Sequence, residues 1–258
     1  VVNMQKPQIP KIIHYCWFGH GDMSQAEKDY IASWKRKCPE YKFMLWNEDN
    51  FDIHCCRYVE QAASAEKWSF VSDYVRLFAV YNYGGIYLDT DVELLKGLDD
   101  LLGYEAFIGF ENCEFVNDGQ GFGAVFHHPI VLEMMEMYRD MEFIFADGSL
   151  NLKESPRCRT EVLLKHGLIQ NGERQTVAGF EVFPVDYMCP IDYMTGRVKI
   201  TSNTYSIHHY RGSWHSEKER RLVKYIQLIR RIFGIERGQK IVEYIFTTKD
   251  RLKKVIKK

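Results

Sequence analysis

At 258 residues, 46% hydrophobic and 27% charged, the chain has the make-up of one large globular domain, or of a domain with a small annex, which excludes wholesale disorder. No apolar run approaches the ~18–20 residues that a membrane-crossing helix needs, and the start lacks the basic-then-apolar pattern of a secretory leader, so a cytoplasmic chain is expected. The formal net charge of −1 conceals an asymmetry: residues 217–258 carry 14 Lys and Arg against 5 Asp and Glu, whereas residues 1–216 carry 20 against 30.

The acidic body makes nucleic acid a poor partner, and the basic end suits an anionic membrane surface. The 7 cysteines (Cys16, Cys38, Cys55, Cys56, Cys113, Cys158 and Cys189) are odd in number and include no CxxC pair, so reduced thiols are expected rather than a disulfide frame or a zinc site.

In chain order, Lys11–Phe18 predicts a buried strand ended by Gly19 and Gly21. A helix follows over Ser24–Lys37, with Ser24 and Glu27 at capping-box spacing. Tyr41–Trp46 predicts the next strand. Trp68–Tyr81 predicts a helix, since Val71, Tyr74, Val75 and Phe78 recur at i, i+3, i+4 and i+7. Gly84 and Gly85 stop it, and Ile86–Asp89 predicts a short strand running into Asp89-Thr90-Asp91. Further strands are expected at Ala106–Phe110 and Gly123–Phe126, and a proline-led helix at Pro129–Arg139. Residues 155–166 read as helix, and 180–184 and 205–210 as extended. From Ser216 onward the pattern is helical, with breaks near Gly234 and Gly238. Apolar runs alternating with amphipathic stretches predict an α/β domain over residues 1–215 and a basic helical tail over 216–258.

The sharpest chemical feature is Asp89-Thr90-Asp91. In extended backbone, residues i and i+2 project to one side, so both carboxylates converge. At the end of a strand they stand where open α/β sheets bind ligands. A divalent cation relieves their repulsion: Mg²⁺ or Mn²⁺ takes one or two carboxylates and completes its shell with water and substrate phosphates. A bare Asp-x-Asp also occurs in solvated turns, so its position after the Gly-Gly stop and an apolar strand is what favours a metal–diphosphate site.

On the preceding helix, Asp73 and Arg76 share one face. Either they form a solvated i,i+3 ion pair, or they face a cleft, with Asp73 accepting from sugar hydroxyls and Arg76 donating to hydroxyls or phosphate. Trp17, followed by Phe18, ends the first strand and can stack on a nucleobase or serve the core. In His208-His209-Tyr210-Arg211-Gly212-Ser213-Trp214, adjacent histidines on a strand point to opposite sides, so at most one joins a given metal. Gly212-Ser213-Trp214 could lend N–H donors to a leaving diphosphate.

Together, IPKIIHYCWFG, WSFVSDYVRLFAVYNYGGIYLDTDVELL and YSIHHYRGSW, in that order, resemble the DXD-containing sugar transferases of glycosyltransferase family 32. This family includes bacterial capsular and lipo-oligosaccharide enzymes and fungal initiating mannosyltransferases, and is related to the glucosylating domains of clostridial toxins. The resemblance covers about residues 9–214. It implies a GT-A fold, a Rossmann-like α/β domain binding a nucleotide sugar through a metal and transferring the sugar with retention. It implies Asp89, Asp91 and His209 as metal ligands, with Asp91 the more direct of the two aspartates. It implies Asp73, Arg76 and Tyr87 around the donor sugar, Trp17 and Phe18 at the base, and Gly212 and Trp214 near the diphosphate. Relatives often follow the glycine with Lys-Pro-Trp, whereas Ser213-Trp214 follows Gly212 at once here.

The implied enzyme is a retaining hexosyltransferase that uses Mn²⁺ or Mg²⁺ and a UDP-sugar. Its implied acceptor is a glycan or lipid-linked glycan in bacterial surface polysaccharide synthesis, capsular or lipopolysaccharide. Catalysis is expected to involve Asp91, Asp73 and Arg76. Glu111 and Asp118 are the nearest candidates for a covalent nucleophile, and same-face attack without one is the favoured alternative. A nucleotide-sugar hydrolase using the same aspartates, or a non-catalytic glycan-binding protein on a transferase scaffold, are the competing readings. In the tail, Leu222, Val223, Ile226, Ile229 and Phe233 form a stripe flanked by basic residues. It either packs internally or attaches the chain peripherally to the inner face of the plasma membrane.

Overall fold

The apolar run at 11–18 forms β1 (Ile12–Cys16), and the capping box then starts α1 (Gln25–Lys37), with the Ser24 N–H donating to the Glu27 carboxylate at 2.9 Å. The computed structural model describes residues 8–211 and 217–256. After β2 (Lys42–Trp46) come α2 (Arg57–Ser64) and α3 (Trp68–Tyr83). The chain leaves α3 through Gly84 and Gly85, at φ +61° and +104°, a region that L side chains rarely adopt, and enters β3 (Gly85–Tyr87). It continues through β4 (Val92–Leu94), β5 (Ala106–Phe110), β6 (Val116–Asn117), β7 (Phe122–Ala124), α4 (Pro129–Glu136) and α5 (Ser155–Lys165). Then follow β8 (Gln175–Val177), β9 (Phe180–Phe183), α6 (Val185–Met188), β10 (Ser206–His208), α7 (Glu217–Phe233) and α8 (Ile235–Ile256).

The main sheet runs β2-β1-β3-β7-β5-β9-β8, with β6 paired to β5, while β4 and β10 form a separate two-stranded ladder. β2, β1 and β3 are mutually parallel, as are β5 and β9; β7 joins the two groups antiparallel. The two-residue period of the strands divides them between two apolar cores. On β5, Ala106, Ile108 and Phe110 join α3, α4 and α5 in one, and Phe107 joins Ile31 and Trp34 of α1 in the other.

The strand expected at 123–126 spans Phe122–Ala124, one residue earlier at its start and two at its end, and the helix expected to Arg139 ends at Glu136. α2, β4, β6, β8 and α6 were not predicted; all but α2 are four residues or shorter, too brief to show a period. The break expected at Gly238 is absent because α8 runs through it: a Cβ there would lie 2.8 Å from Arg230 Cα, so this glycine admits a close helix approach. All seven cysteines are free thiols. Among the described residues, no helix is long and apolar enough to cross a membrane.

Two compact units emerge, one of Val1–Pro190 with Ile200–His209, the other of Ile191–Lys199 with Tyr210–Lys258. The second unit therefore takes in a short segment before β10 as well as the two terminal helices.

Candidate active site

β1 and β3 lie parallel, with His14 opposite Tyr87, so Trp17 and the Asp89-Thr90-Asp91 segment leave the same, carboxyl end of the sheet. The strand itself stops at Tyr87. A turn closed by Val92 N–H donating to Asp89 C=O at 3.0 Å, rather than extended backbone, gathers the two carboxylates and launches β4. The convergence expected of Asp89 and Asp91 thus holds through a different local geometry.

β10 brings a third ligand type. It pairs antiparallel with β4, His208 opposite Val92, and His208 Nε2 lies 3.1 Å from Asp91 Oδ1. Asp89, Asp91 and His208 each offer a ligand atom, all within 4.8 Å of one another. His209, to which the family pattern gave this role, points to the opposite face. There its ring stacks on Tyr30, centroids 4.6 Å apart, and Nε2 lies 2.9 Å from the Glu93 carboxylate. Alternation along the strand permits only one of the two histidines, and the ladder register selects His208. Burial alone would lower the His208 pKa, but Asp91 and the neighbouring carboxylates outweigh it and raise the value.

Behind the turn lies a buried ionic network. Arg76, on α3, donates to Asp118 Oδ1 at 2.8 Å, to Asp89 Oδ1 at 3.0 Å and to Ser155 Oγ at 3.2 Å, and lies 3.2 Å from Asp73 Oδ1. Asp73 and Arg76 are therefore not a solvated surface pair: both are buried. Arg159, from α5, donates to the other oxygen of Asp118, to the Tyr138 hydroxyl at 3.1 Å and to the Asp73 carbonyl at 2.6 Å. Desolvation alone would raise the Asp118 pKa, yet the two guanidinium groups hold it below the usual carboxylate range. Asp73 fares differently. Desolvation dominates, offset only in part by Arg76, and its pKa is pushed up to about 7. Arg76 and Arg159 thus face Asp73, Asp89 and Asp118, while Asp91 at the half-open end pairs with His208.

Tyr87 is buried, its hydroxyl donating to Asp89 Oδ1 at 2.8 Å and its ring covered by Arg76 at 5.0 Å. It positions Asp89 rather than lining an open pocket. Trp17 is half-buried, its indole N–H donating to the Gly21 carbonyl. Phe18, expected beside it at the base, instead stacks on Trp68 and meets Phe51 edge-on within the core, because strand alternation turns it inward. Gly212 and Trp214 lie outside the described residues.

The loop after β6 was missed from sequence. Gly119 C=O accepts from Asp89 N–H at 2.9 Å, and Asn117 Oδ1 accepts from Gly119 N–H at 2.7 Å. A Cβ on Gly119 would lie 2.1 Å from Asp89 Oδ2, so only glycine leaves room for this carboxylate. Asn117 also donates to Glu111 at 2.8 Å, whose carboxyl is raised chiefly by burial. Asp118, a candidate nucleophile by chain position, is fully buried with both oxygens held by arginines, which removes it from that role. The signal for Arg159 was present: with Cys158, Val162 and Leu163 it lies on the buried face of α5, where a charge requires a partner.

The donor set suits a hard divalent cation: two carboxylates and one imidazole with ligand atoms in mutual reach.

The family described as "Glycosyltransferase sugar-binding region containing DXD motif" matches residues 24–108, which include α1, α3 and the aspartate turn. An inositol phosphoceramide mannosyltransferase (number 3) of Schizosaccharomyces pombe is 28% identical over 148 residues, 52% of this chain and 38% of that protein. A human alpha-1,4-N-acetylglucosaminyltransferase is 37% identical over 78 residues, 30% of this chain and 22% of that protein. The chain thus spans less than half the length of these curated relatives. Among solved structures, PaToxG glycosyltransferase superposes with a TM-score of 0.50 at 16% identity, over 62% of this chain and 70% of that one, which shows a shared fold.

Proposed function

We propose that this chain, which carries the DXD-containing sugar-binding region of glycosyltransferase family 32 type on a GT-A fold, transfers a hexose from a nucleotide diphosphate sugar to a glycan or lipid-linked glycan. The observation that carries the reading is the meeting of Asp89, Asp91 and His208 at the carboxyl end of the sheet, backed by Asp73 and Arg76. These three residues would hold Mn²⁺ or Mg²⁺, which when bound neutralises charge on the leaving diphosphate.

The chain's own residues then have separable tasks. Asp73, whose pKa of about 7 keeps a proton available near neutrality, exchanges hydrogen bonds with sugar hydroxyls. Arg76 and Tyr87 hold Asp89 in place, and Trp17 meets the base. Breaking the anomeric bond leaves positive charge on the sugar, which the buried carboxylates favour. Asp118 is locked between arginines, which leaves Glu111 as the one candidate covalent nucleophile; the favoured retaining route is attack by the acceptor on the face the diphosphate leaves, a donor phosphate oxygen taking the acceptor proton. UDP is the nucleotide and a bacterial surface polysaccharide the product in this reading. A basic tail at the cytoplasmic membrane face would bring lipid-linked acceptors within reach. The acceptor class also accords with the inositol phosphoceramide mannosyltransferase among the relatives.

A panel of UDP- and GDP-sugars, incubated with and without Mn²⁺ and scored for donor turnover, tests it. Metal-dependent turnover that rises with added acceptor supports transfer, whereas turnover indifferent to acceptor indicates a hydrolase. No turnover, and no thermal stabilisation by UDP or GDP with Mn²⁺, overturns the reading.

A further inference from the structure

α7 and α8 form a hairpin about Gly234, whose φ of +80° turns the chain between them. The apolar side chains of α7 divide into two stripes. Leu222, Ile226 and Ile229, at i, i+4 and i+7, meet Val242, Ile245 and Phe246 of α8, and Ile229 and Val242 are buried. Of the stripe that the sequence offers for membrane attachment, the hairpin takes in Ile226 and Ile229, whereas Leu222 keeps 38% exposure and Phe233 stays exposed at the tip. The second stripe, Tyr225, Leu228 and Ile232, at i, i+3 and i+7, faces outward, with 52%, 52% and 64% of each residue exposed, Tyr225 also edging the groove between the helices. It runs into a tip where Phe233 and Ile235 are also exposed. Lys224 and Arg231 border the stripe, one and two turns apart along the helix from Leu228 and each other, and Arg237 and Lys240 follow the tip; all four are exposed.

Five large apolar side chains presented together to water call for a cover. The cover must accept apolar groups and offset cations, because residues 217–258 carry 14 basic against 5 acidic side chains. A second copy would bring the same positive charge and be repelled. An anionic bilayer supplies both requirements, an acyl boundary for the apolar stripe and phosphates for the collar. We propose that the outward stripe of Tyr225, Leu228 and Ile232, with the Phe233–Ile235 tip, seats in the interface of an anionic lipid bilayer. Lys224, Arg231, Arg237 and Lys240 meet lipid phosphates there. The attachment is independent of sugar transfer and stands or falls separately from it.

Co-sedimentation of the full chain with vesicles of phosphatidylcholine, alone and mixed with phosphatidylglycerol, tests the proposal. The expected result is binding to the anionic vesicles only, weakened by about tenfold or more when salt is raised toward 1 M. Leu228→Ser with Ile232→Ser, and separately Arg231→Glu with Arg237→Glu, should each lower the partition coefficient by about tenfold or more while helical circular dichroism is unchanged. Equal binding to neutral vesicles, or no binding to either, overturns it. So does a concentration-dependent dimer, seen by sedimentation velocity, that the serine variant abolishes, since a second copy would then be the occupant.

Discussion

Arg76 and Asp89 are joined by a 3.0 Å bond from the guanidinium to Oδ1, and that same oxygen also accepts from the Tyr87 hydroxyl at 2.8 Å. One oxygen of Asp89 is therefore committed to positioning, and its partner oxygen points toward the bare α-carbon of Gly119. Adding a methyl group at Gly119 would place it 2.1 Å from Oδ2, inside any permissible contact. Gly119→Ala should weaken Mn²⁺ binding by about tenfold or more by displacing the carboxylate, an effect in the range of lost supporting contacts at metal sites. Isothermal titration with Mn²⁺ measures it; unchanged affinity would show that Asp89 is not held where the structure puts it.

Asp118 is the keystone of the buried charges rather than a reacting group. Its two oxygens face Arg76 and Arg159, both themselves buried. Replacing it with alanine leaves two desolvated cations short of a partner, a change that costs about 3–5 kcal/mol in comparable buried pairs. Urea unfolding of Asp118→Ala should show that loss. Incubation of the unaltered protein with a slow fluorinated donor should leave Asp118 unmodified by mass spectrometry.

These two residues also mark where sequence reading ran out. α3, the Gly84-Gly85 stop and the aspartate turn were legible because each is local: an apolar period, glycines at positive φ, and two acids beside an apolar strand. The partnership of Asp118 with Arg159 spans 41 residues and depends on α5 lying against β6, which no local pattern encodes. Phe18 looked available because it follows Trp17, yet alternation along the strand sends neighbours to opposite faces, and only the packed Trp68 and Phe51 reveal which goes inward.

The choice between adjacent histidines rests on the same alternation. His208 stands with Asp89 and Asp91, and His209 is engaged by Glu93 and Tyr30 on the far face. His208→Ala should therefore lower Mn²⁺ affinity by about tenfold to a hundredfold, whereas His209→Ala should change it less than about threefold. The reverse order would reinstate the family assignment of His209. Thermal shifts with and without Mn²⁺ read both variants side by side, and the metal-free melting temperature separates a binding loss from an unfolding one.

Asp73 makes stability depend on pH in an unusual direction for a carboxylate. Burial raises its folded-state pKa from 3.8 to about 7, with Arg76 offsetting only part of the desolvation. Between those values the folded chain keeps a proton that the unfolded chain releases, so this group's contribution to stability is present at low pH and declines as pH rises from about 4 to 7. The slope from one such group is at most about 1.4 kcal/mol per pH unit. Asp73→Asn, which keeps the shape and cannot ionise, should remove that decline. Its stability relative to the unaltered protein should therefore be higher at pH 7.5 than at pH 5. Urea titrations at the two pH values decide it. A difference that is the same at both would mean that Asp73 is already ionised throughout, held so by Arg76.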